Sequence, residues 1–196
     1  MKQSMERCVN RTVSGTIYRQ FGNLSADLLR HPELVKDLPD VAKAQCLRCS
    51  DLLGPEKPSV IEITEREFMG DVRMVQRILA PFLDFGMKLA IDDFGSGYSS
   101  LRHLALLPVT YLKIDGELIT LARAESRARS ILRSIQYTAE TLGLTIVAEC
   151  IEDEETADML ETLGVDWAHG LYFGTPEVPT MPAPTRIKHH PGSTLT

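Results

Sequence analysis

Acidic residues stand at the ends of several short apolar segments of this sequence. If these segments are parallel strands of one (β/α) barrel, their C-terminal ends meet at one mouth, where such barrels hold their chemistry. The sequence therefore predicts one cluster of carboxylates with a lysine among them. The main members are Glu62 in SVIEIT, Asp92 and Asp93 after MKLAI, Lys113 in TYLKID and Glu149 in LTIVAE. Close to the same ends lie Glu65, Asp115, Glu152 and His169.

A cluster of three or more carboxylates implies bound divalent metal, because the negative charges repel one another unless cations neutralise them. Taken singly, each carboxylate is more typical of a solvated loop or a helix cap, so the prediction depends on the set. Oxygen ligands favour Mg²⁺ or Mn²⁺ over zinc. Two ions roughly 3.5 to 4 Å apart can activate a bridging water for phosphodiester hydrolysis. Lys113 would then orient that water or stabilise the transition state.

The segment after Asp93 is rich in glycine and serine. Glycines allow tight backbone turns near a ligand, and serines can cap the helix that follows. We therefore predict a ligand-binding loop at this strand end. Its residues are Phe94, Gly95, Ser96, Gly97, Tyr98, Ser99 and Ser100.

Short β-type segments alternate with longer helical patterns, which is typical of βαβ units around a parallel sheet. The pattern predicts an α/β fold with six strands. The predicted strands are 16–23, 59–64, 87–92, 110–115, 144–149 and 167–173. The predicted helices are 71–85, which Pro81 should bend, 126–142, 153–163, and one or two between 25 and 53.

Composition limits the classes of partner and location. The chain has 196 residues, a formal net charge of -6 and four cysteines. An acidic chain has no general attraction for DNA or an anionic membrane. No apolar run approaches the roughly 20 residues that span a bilayer, and charges interrupt anything like a signal peptide. We expect a cytoplasmic protein of one domain with reduced thiols and no membrane span.

Four motifs make the sequence similar to the EAL domain family of bacterial cyclic-di-GMP phosphodiesterases. They are EITE at 62–65, IDDFGSGYSSL at 91–101, LPVTYLKID at 107–115 and VAECIED at 147–153. The resemblance implies a TIM-like (β/α)₈ barrel, of which about six of eight strands are present here. It divides the chain into an N-terminal remnant with a helix and the start of a strand (1–22), a barrel domain (23–179) and a disordered tail (180–196).

The resemblance also implies an activity. Members of the family hydrolyse cyclic-di-GMP to linear pGpG in bacterial second-messenger signalling, with two Mg²⁺ or Mn²⁺ ions. By motif position, Lys113 resembles the water-positioning lysine, Glu65 would tie down the loop after Asp93, and Glu152 belongs to the site. The residues that resemble metal ligands are Asn23, Glu62, Asp92, Asp93 and Glu149.

The sequence departs from the family pattern in several places. No Glu-Ala-Leu or close variant precedes Asn23, so a metal ligand of the family is missing and hydrolysis by this chain alone should be impaired. His169-Gly170 replaces Gln-Gly, Cys150 replaces a glycine, and the stretch from Asn23 to Glu62 is longer than usual. A fragment, a wrongly assigned start and a degenerate relative that pairs with another chain all remain open.

Alternative functions follow from these departures. A degenerate module would bind cyclic-di-GMP or a protein partner without catalysis. Under either function, the domain could form a homodimer or be fused to a sensor or GGDEF domain in a longer parent protein. A carboxylate-based barrel acting on sugars ranks far below, since it needs no double-aspartate loop. A metal or redox role for Cys46 and Cys49 ranks below core packing. Core packing is also the favoured role for Trp167, Tyr172 and Phe173, ahead of contact with a guanine base.

Overall fold

A computed structural model describes residues 19–25, 31, 59–64, 72–96 and 101–175. Several predictions fall outside these residues: the helices between 25 and 53, the helix of the N-terminal remnant, and the tail. The domain boundaries after 22 and 179 also stay predictions. Outside the described residues lie Glu65, Gly97, Tyr98, Ser99, Cys46 and Cys49.

Six strands form one parallel sheet whose spatial order follows the chain order. Each strand pairs in parallel with the strand before it, as consecutive βαβ units do. All six predicted strands are present, and the second has the predicted bounds. They are β1 (Gln20–Asn23), β2 (Ser59–Thr64), β3 (Lys88–Phe94), β4 (Tyr111–Ile114), β5 (Thr145–Ala148) and β6 (Trp167–Ala168).

Helices separate the strands from β2 onward in the described part of the chain. The longest described helix ends where Gly143 adopts a left-handed φ of 68° and donates its N–H to the carbonyls of Ala139 and Glu140. No described helix is long and apolar enough to cross a membrane. The helices are α1 (Val72–Asp84), α2 (Leu101–Leu106), α3 (Gly116–Ala124), α4 (Ser126–Leu142) and α5 (Glu154–Thr162).

The main core lies between the sheet and the helices. Alternate strand residues such as Ile61, Leu89 and Ile146 are fully buried there and pack with helix residues such as Leu79 and Leu132. The residues between them face the other side of the sheet, because side chains alternate along a strand. That inner side has a small apolar cluster of its own, formed by Val60, Ala90, Tyr111 and Val147 with Phe21 packed against it.

The sheet is an open arc. Within the described residues, β1 pairs only with β2 and β6 pairs only with β5. The structure therefore confirms a TIM-like arrangement that does not close, with the six strands that the sequence predicts. Each outer strand has one edge that pairs with no other described strand.

The prediction of a strand over 167–173 is wrong beyond Ala168. The strand ends at Ala168, and residues 171–173 form a turn instead. The prediction that the aromatic residues here pack in the core is also wrong, because Trp167 and Tyr172 are each 44% exposed and Phe173 is 56% exposed. The physical reason is that β6 is the edge of the arc, so no further described strand covers these rings.

Candidate metal centre and active site

The inner face of the sheet positions the polar residues. Each of them stands two residues after an inward-facing apolar residue, so strand alternation places both on the same side. Parallel pairing then aligns the strand ends at one edge. The pairs are Val60 and Glu62, Ala90 and Asp92, Tyr111 and Lys113, and Val147 and Glu149.

Lys113 is the centre of an ion-pair network that joins β2, β3, β4 and the end of β5. Its Nζ lies 2.6 Å from Glu62 Oε1, 2.9 Å from Asp92 Oδ1 and 2.7 Å from Glu149 Oε1. All four side chains are at most 15% exposed. Burial would lower the pKa of Lys113, but hydrogen bonds to Glu149, Glu62 and Asp92 raise it well above its usual value. Lys113 therefore stays charged.

Negative charge is in excess in this network, since three carboxylates share one ammonium. Burial raises the pKa of Glu62, and the charges of Asp92 and Glu149 raise it further. Lys113 acts in the opposite direction and lowers this pKa. Glu62 Oε1 is buried, and apart from the ion-pair contact it meets no aligned donor among the described residues. A bound cation would offset this excess.

Asp92, Asp93 and Glu149 each contribute a carboxylate oxygen to one small volume, and the three oxygens lie within 4.8 Å of one another. Consecutive strand residues normally point to opposite faces. Here the β3–β4 register shifts between Ile91 and Phe94, and Asp93 has a left-handed φ of 55°. This irregularity re-aims Asp93 toward the side chain of Asp92, whose Oδ1 accepts from the Asp93 N–H at 3.1 Å.

These three oxygens fit a hard divalent cation. Mg²⁺ and Mn²⁺ take carboxylate oxygens as ligands, and no thiolate enters the set. The pKa of Asp93 is raised by burial and by the charges of Asp92, Asp115 and Glu149. A bound cation would offset this crowding of negative charge. Asn23 lies opposite Glu62 in the β1–β2 register, at the same end of the sheet, with an exposed side chain.

Glu149 also meets His169, which follows β6. The His169 Nε2 lies 2.8 Å from Glu149 Oε1. Burial would raise the pKa of Glu149, but the hydrogen bond with His169 and the contact with Lys113 lower it. The hydrogen bond with Glu149 in turn raises the pKa of His169. The sequence predicted His169 at this end of the sheet, and in the structure its ring lies beside the Glu149 carboxylate.

Gly170 is a positional requirement that sequence reasoning did not single out. A Cβ at this position would lie 2.1 Å from the carbonyl oxygen of Ile151, so no side chain fits. The chain is held here because the Ile151 N–H donates to the His169 carbonyl and the Tyr172 N–H donates to the Ile151 carbonyl. A glycine inside the predicted strand 167–173 was the signal for this close approach.

Other predicted site residues lie outside the network. Glu152 is exposed and lines a cavity of about 570 Å³ together with Cys150 and His169. Phe94 ends β3 and is 2% exposed in the main core, and its place in a ligand-binding loop stays a prediction. Gly95, with a φ of 104°, and Ser96 form the turn after it, where the Ser96 N–H donates to the Asp93 carbonyl at 3.2 Å.

The profile of the EAL domain family, described as "EAL domain", matches residues 2–176, which is most of the chain. The chain belongs to the EAL domain family. This confirms the resemblance carried by the four sequence motifs. The ion-pair network and the three clustered oxygens therefore lie on an EAL domain.

Named relatives are similar in sequence. The chain is 35% identical over 161 residues to the bifunctional diguanylate cyclase/cyclic di-GMP phosphodiesterase MucR of Pseudomonas aeruginosa, which covers 82% of this chain and 22% of that protein. It is 34% identical over 136 residues to the cyclic di-GMP phosphodiesterase PdeL of Escherichia coli, covering 69% of this chain and 37% of that protein. The chain thus spans well under half the length of these two curated relatives.

Solved EAL structures resemble the fold. A structure described as the PaMucR phosphodiesterase in complex with c-di-GMP has a TM-score of 0.75 and 33% identity, covering 93% of this chain and 70% of that one. The EAL domain of DcpA from Mycobacterium smegmatis has a TM-score of 0.75 and 28% identity, covering 89% of this chain and 76% of that one. The open arc of six strands is therefore an EAL-type arrangement.

Proposed function

We propose that this EAL domain acts on cyclic-di-GMP as a metal-dependent phosphodiesterase that forms linear pGpG. The observation that carries the proposal is the convergence of Asp92, Asp93 and Glu149 oxygens within 4.8 Å, beside the charged Lys113. Relatives named as cyclic di-GMP phosphodiesterases support the choice of substrate.

The side chains divide the work. Asp92, Asp93 and Glu149 would hold Mg²⁺ or Mn²⁺, with Glu62 and Asn23 at the same strand ends to complete a two-ion site. A divalent ion bound there supplies a water of lowered pKa and draws charge from a phosphoryl oxygen. Lys113 keeps its proton and lies beside the same carboxylates, so its ammonium orients the attacking water or stabilises negative charge on the phosphate. The exposed Glu152 lies at the rim of this site.

The cellular setting is part of the proposal. Cyclic-di-GMP is a second messenger, so we propose that the domain works in the cytoplasm. Relatives several times longer than the matched region support a place beside a sensor or GGDEF domain, and a homodimer is a further arrangement for the proposed domain. DNA is not among the proposed partners, because the chain carries a net charge of -6.

A second candidate function is binding of cyclic-di-GMP without hydrolysis. The observation that favours it is His169, which stands where the family has glutamine and bonds to Glu149. This departure concerns the metal site more than the fold. Such a module would keep ligand affinity while forming no pGpG.

The deciding experiment incubates the purified chain with cyclic-di-GMP and Mg²⁺ or Mn²⁺ and follows pGpG by chromatography. We expect turnover that Asp92→Asn reduces by about 100-fold or more, since it removes a charged ligand. Glu140→Gln, an exposed change on α4, is the matched control and should keep the wild-type rate. Binding of cyclic-di-GMP by calorimetry with no pGpG would favour the non-catalytic module. Turnover that survives in Asp92→Asn would contradict the proposed site.

A further inference from the structure

His169 is held at the metal centre by its backbone. Its N–H donates to the Ala148 carbonyl at 2.9 Å, and its own carbonyl accepts from the Ile151 N–H at 3.2 Å. Gly170 allows the close approach to Ile151 that this geometry needs. The imidazole is 62% exposed, yet its anchor is fixed on both sides. A short side chain on such an anchor loses little entropy when it makes a directed contact.

The imidazole and the ammonium of Lys113 bind the same oxygen of Glu149. His169 Nε2 lies 2.8 Å and Lys113 Nζ lies 2.7 Å from Glu149 Oε1. Two donors on one oxygen fix the rotation of the carboxylate. Neither of these two contacts involves the other oxygen, Oε2.

We infer that His169 is a positioning residue that, with Lys113, holds Oε1 of Glu149 and leaves Oε2 to bind the divalent metal. Ligating carboxylates commonly depend on such outer hydrogen bonds, whose loss costs about 10-fold to 100-fold in metal affinity. The inference rests on the proposed metal site. It gives a specific role to a residue that departs from the family pattern. The histidine ring donates a hydrogen bond from a position where the glutamine amide of the family can also donate one.

Geometry separates this role from direct metal ligation by His169. Among the described residues, the ligand atoms that come within 4.8 Å of one another belong to Asp92, Asp93 and Glu149, and the His169 ring is outside that set. The ring reaches the set through Glu149 Oε1. His169 therefore acts on the metal through the carboxylate.

The test measures Mn²⁺ affinity of the full chain from the electron paramagnetic resonance signal of free Mn²⁺. His169→Leu keeps bulk but has no donor, and we expect its Mn²⁺ affinity to fall by about 10-fold to 100-fold. His169→Gln restores a donor at the same position and should bind within about threefold of wild type. Unfolding midpoints of all three proteins in EDTA should agree, which separates positioning from a loss of fold.

The outcomes distinguish the two levels of the proposal. Wild-type affinity in His169→Leu overturns the inference about His169 and leaves the proposed function standing. Strong ¹⁴N coupling to bound Mn²⁺ in pulsed spectra also overturns it, because the ring would then be a direct ligand. A wild-type chain that binds no Mn²⁺ overturns the proposed function, and the inference falls with it.

Discussion

Among the described residues, two non-glycine residues adopt left-handed backbone at the strand ends, and each lies in or beside the carboxylate set. Asp93 has a φ of 55° and Cys150 has a φ of 59°. Such a conformation costs a residue with a Cβ about 1–2 kcal/mol. At Asp93 this strain re-aims a carboxylate into the metal set. At Cys150 the same strain positions no ligand, because the side chain is exposed and contributes no oxygen.

Cys150→Gly should stabilise the chain by about 0.5–1 kcal/mol, because relief of the left-handed strain outweighs the added freedom of glycine in the unfolded state. The measurement is the free energy of unfolding in urea. Cys150→Ala is the matched control, since it removes the thiol but keeps the Cβ, and it should give no such gain. Equal stability of the glycine and alanine variants would show that strain at this residue is small.

At the scale of elements, most strands and helices could be predicted because their apolar residues repeat with clear periods. β2 and α4 have the predicted bounds, and each end of α1 lies within one residue of its predicted position. α3 was missed because it is short and begins at Gly116, and because Asp115 looked like a site residue. In the structure Asp115 is its N-cap and accepts from the Glu117 N–H at 2.9 Å.

The candidate site was predictable where it follows from strand alternation, and not where it follows from local irregularity. Glu62, Asp92 and Lys113 converge because they share the inner face. The register shift at Asp93 and the contact between His169 and Glu149 depend on how neighbouring strands pair. No periodicity in the sequence encodes such pairing.

The helix α5 gives a prediction about pH. Its N-cap Asp153 accepts from the Thr156 N–H and hydroxyl, each at 2.8 Å, and also pairs with Arg123. The hydrogen bonds from Thr156 lower the pKa of Asp153 most, and Arg123 lowers it further. A carboxyl with a lowered folded pKa stabilises the fold above its unfolded pKa, and this contribution is lost as the pH falls through the folded value.

Asp153→Asn keeps a good N-cap but removes the charge. Wild type should therefore be more stable than Asp153→Asn near about pH 7, and the difference should shrink below about pH 4. Urea unfolding across this range is the measurement, and Asp153→Ala should lie below both at every pH because it lacks a cap. A difference that does not change with pH would mean that the charge of Asp153 adds nothing to the cap.

At the scale of the whole molecule, an aromatic row ties the open arc together across its inner face. Tyr111 on the central strand β4 contacts Phe21 of β1 edge to face, with ring centroids 5.3 Å apart. On its other side it meets Trp167 of β6, with centroids 5.5 Å apart. The first and last strands of the described sheet are thus linked through one ring. Tyr111 is 4% exposed, although Trp167 is 44% exposed.

Tyr111→Ala should destabilise the chain by about 3–5 kcal/mol, the usual cost of deleting a buried aromatic ring. It removes both contacts at once, so the edges of the arc lose their common partner. Trp167 is the single tryptophan of the sequence, so its fluorescence reports on this row and should shift to longer wavelength in the variant. Tyr111→Phe keeps the ring and should stay within about 1 kcal/mol of wild type with unchanged emission. If alanine leaves both stability and emission unchanged, the row does not hold the arc, and the main core between sheet and helices alone maintains the alignment of the strand ends at the metal centre.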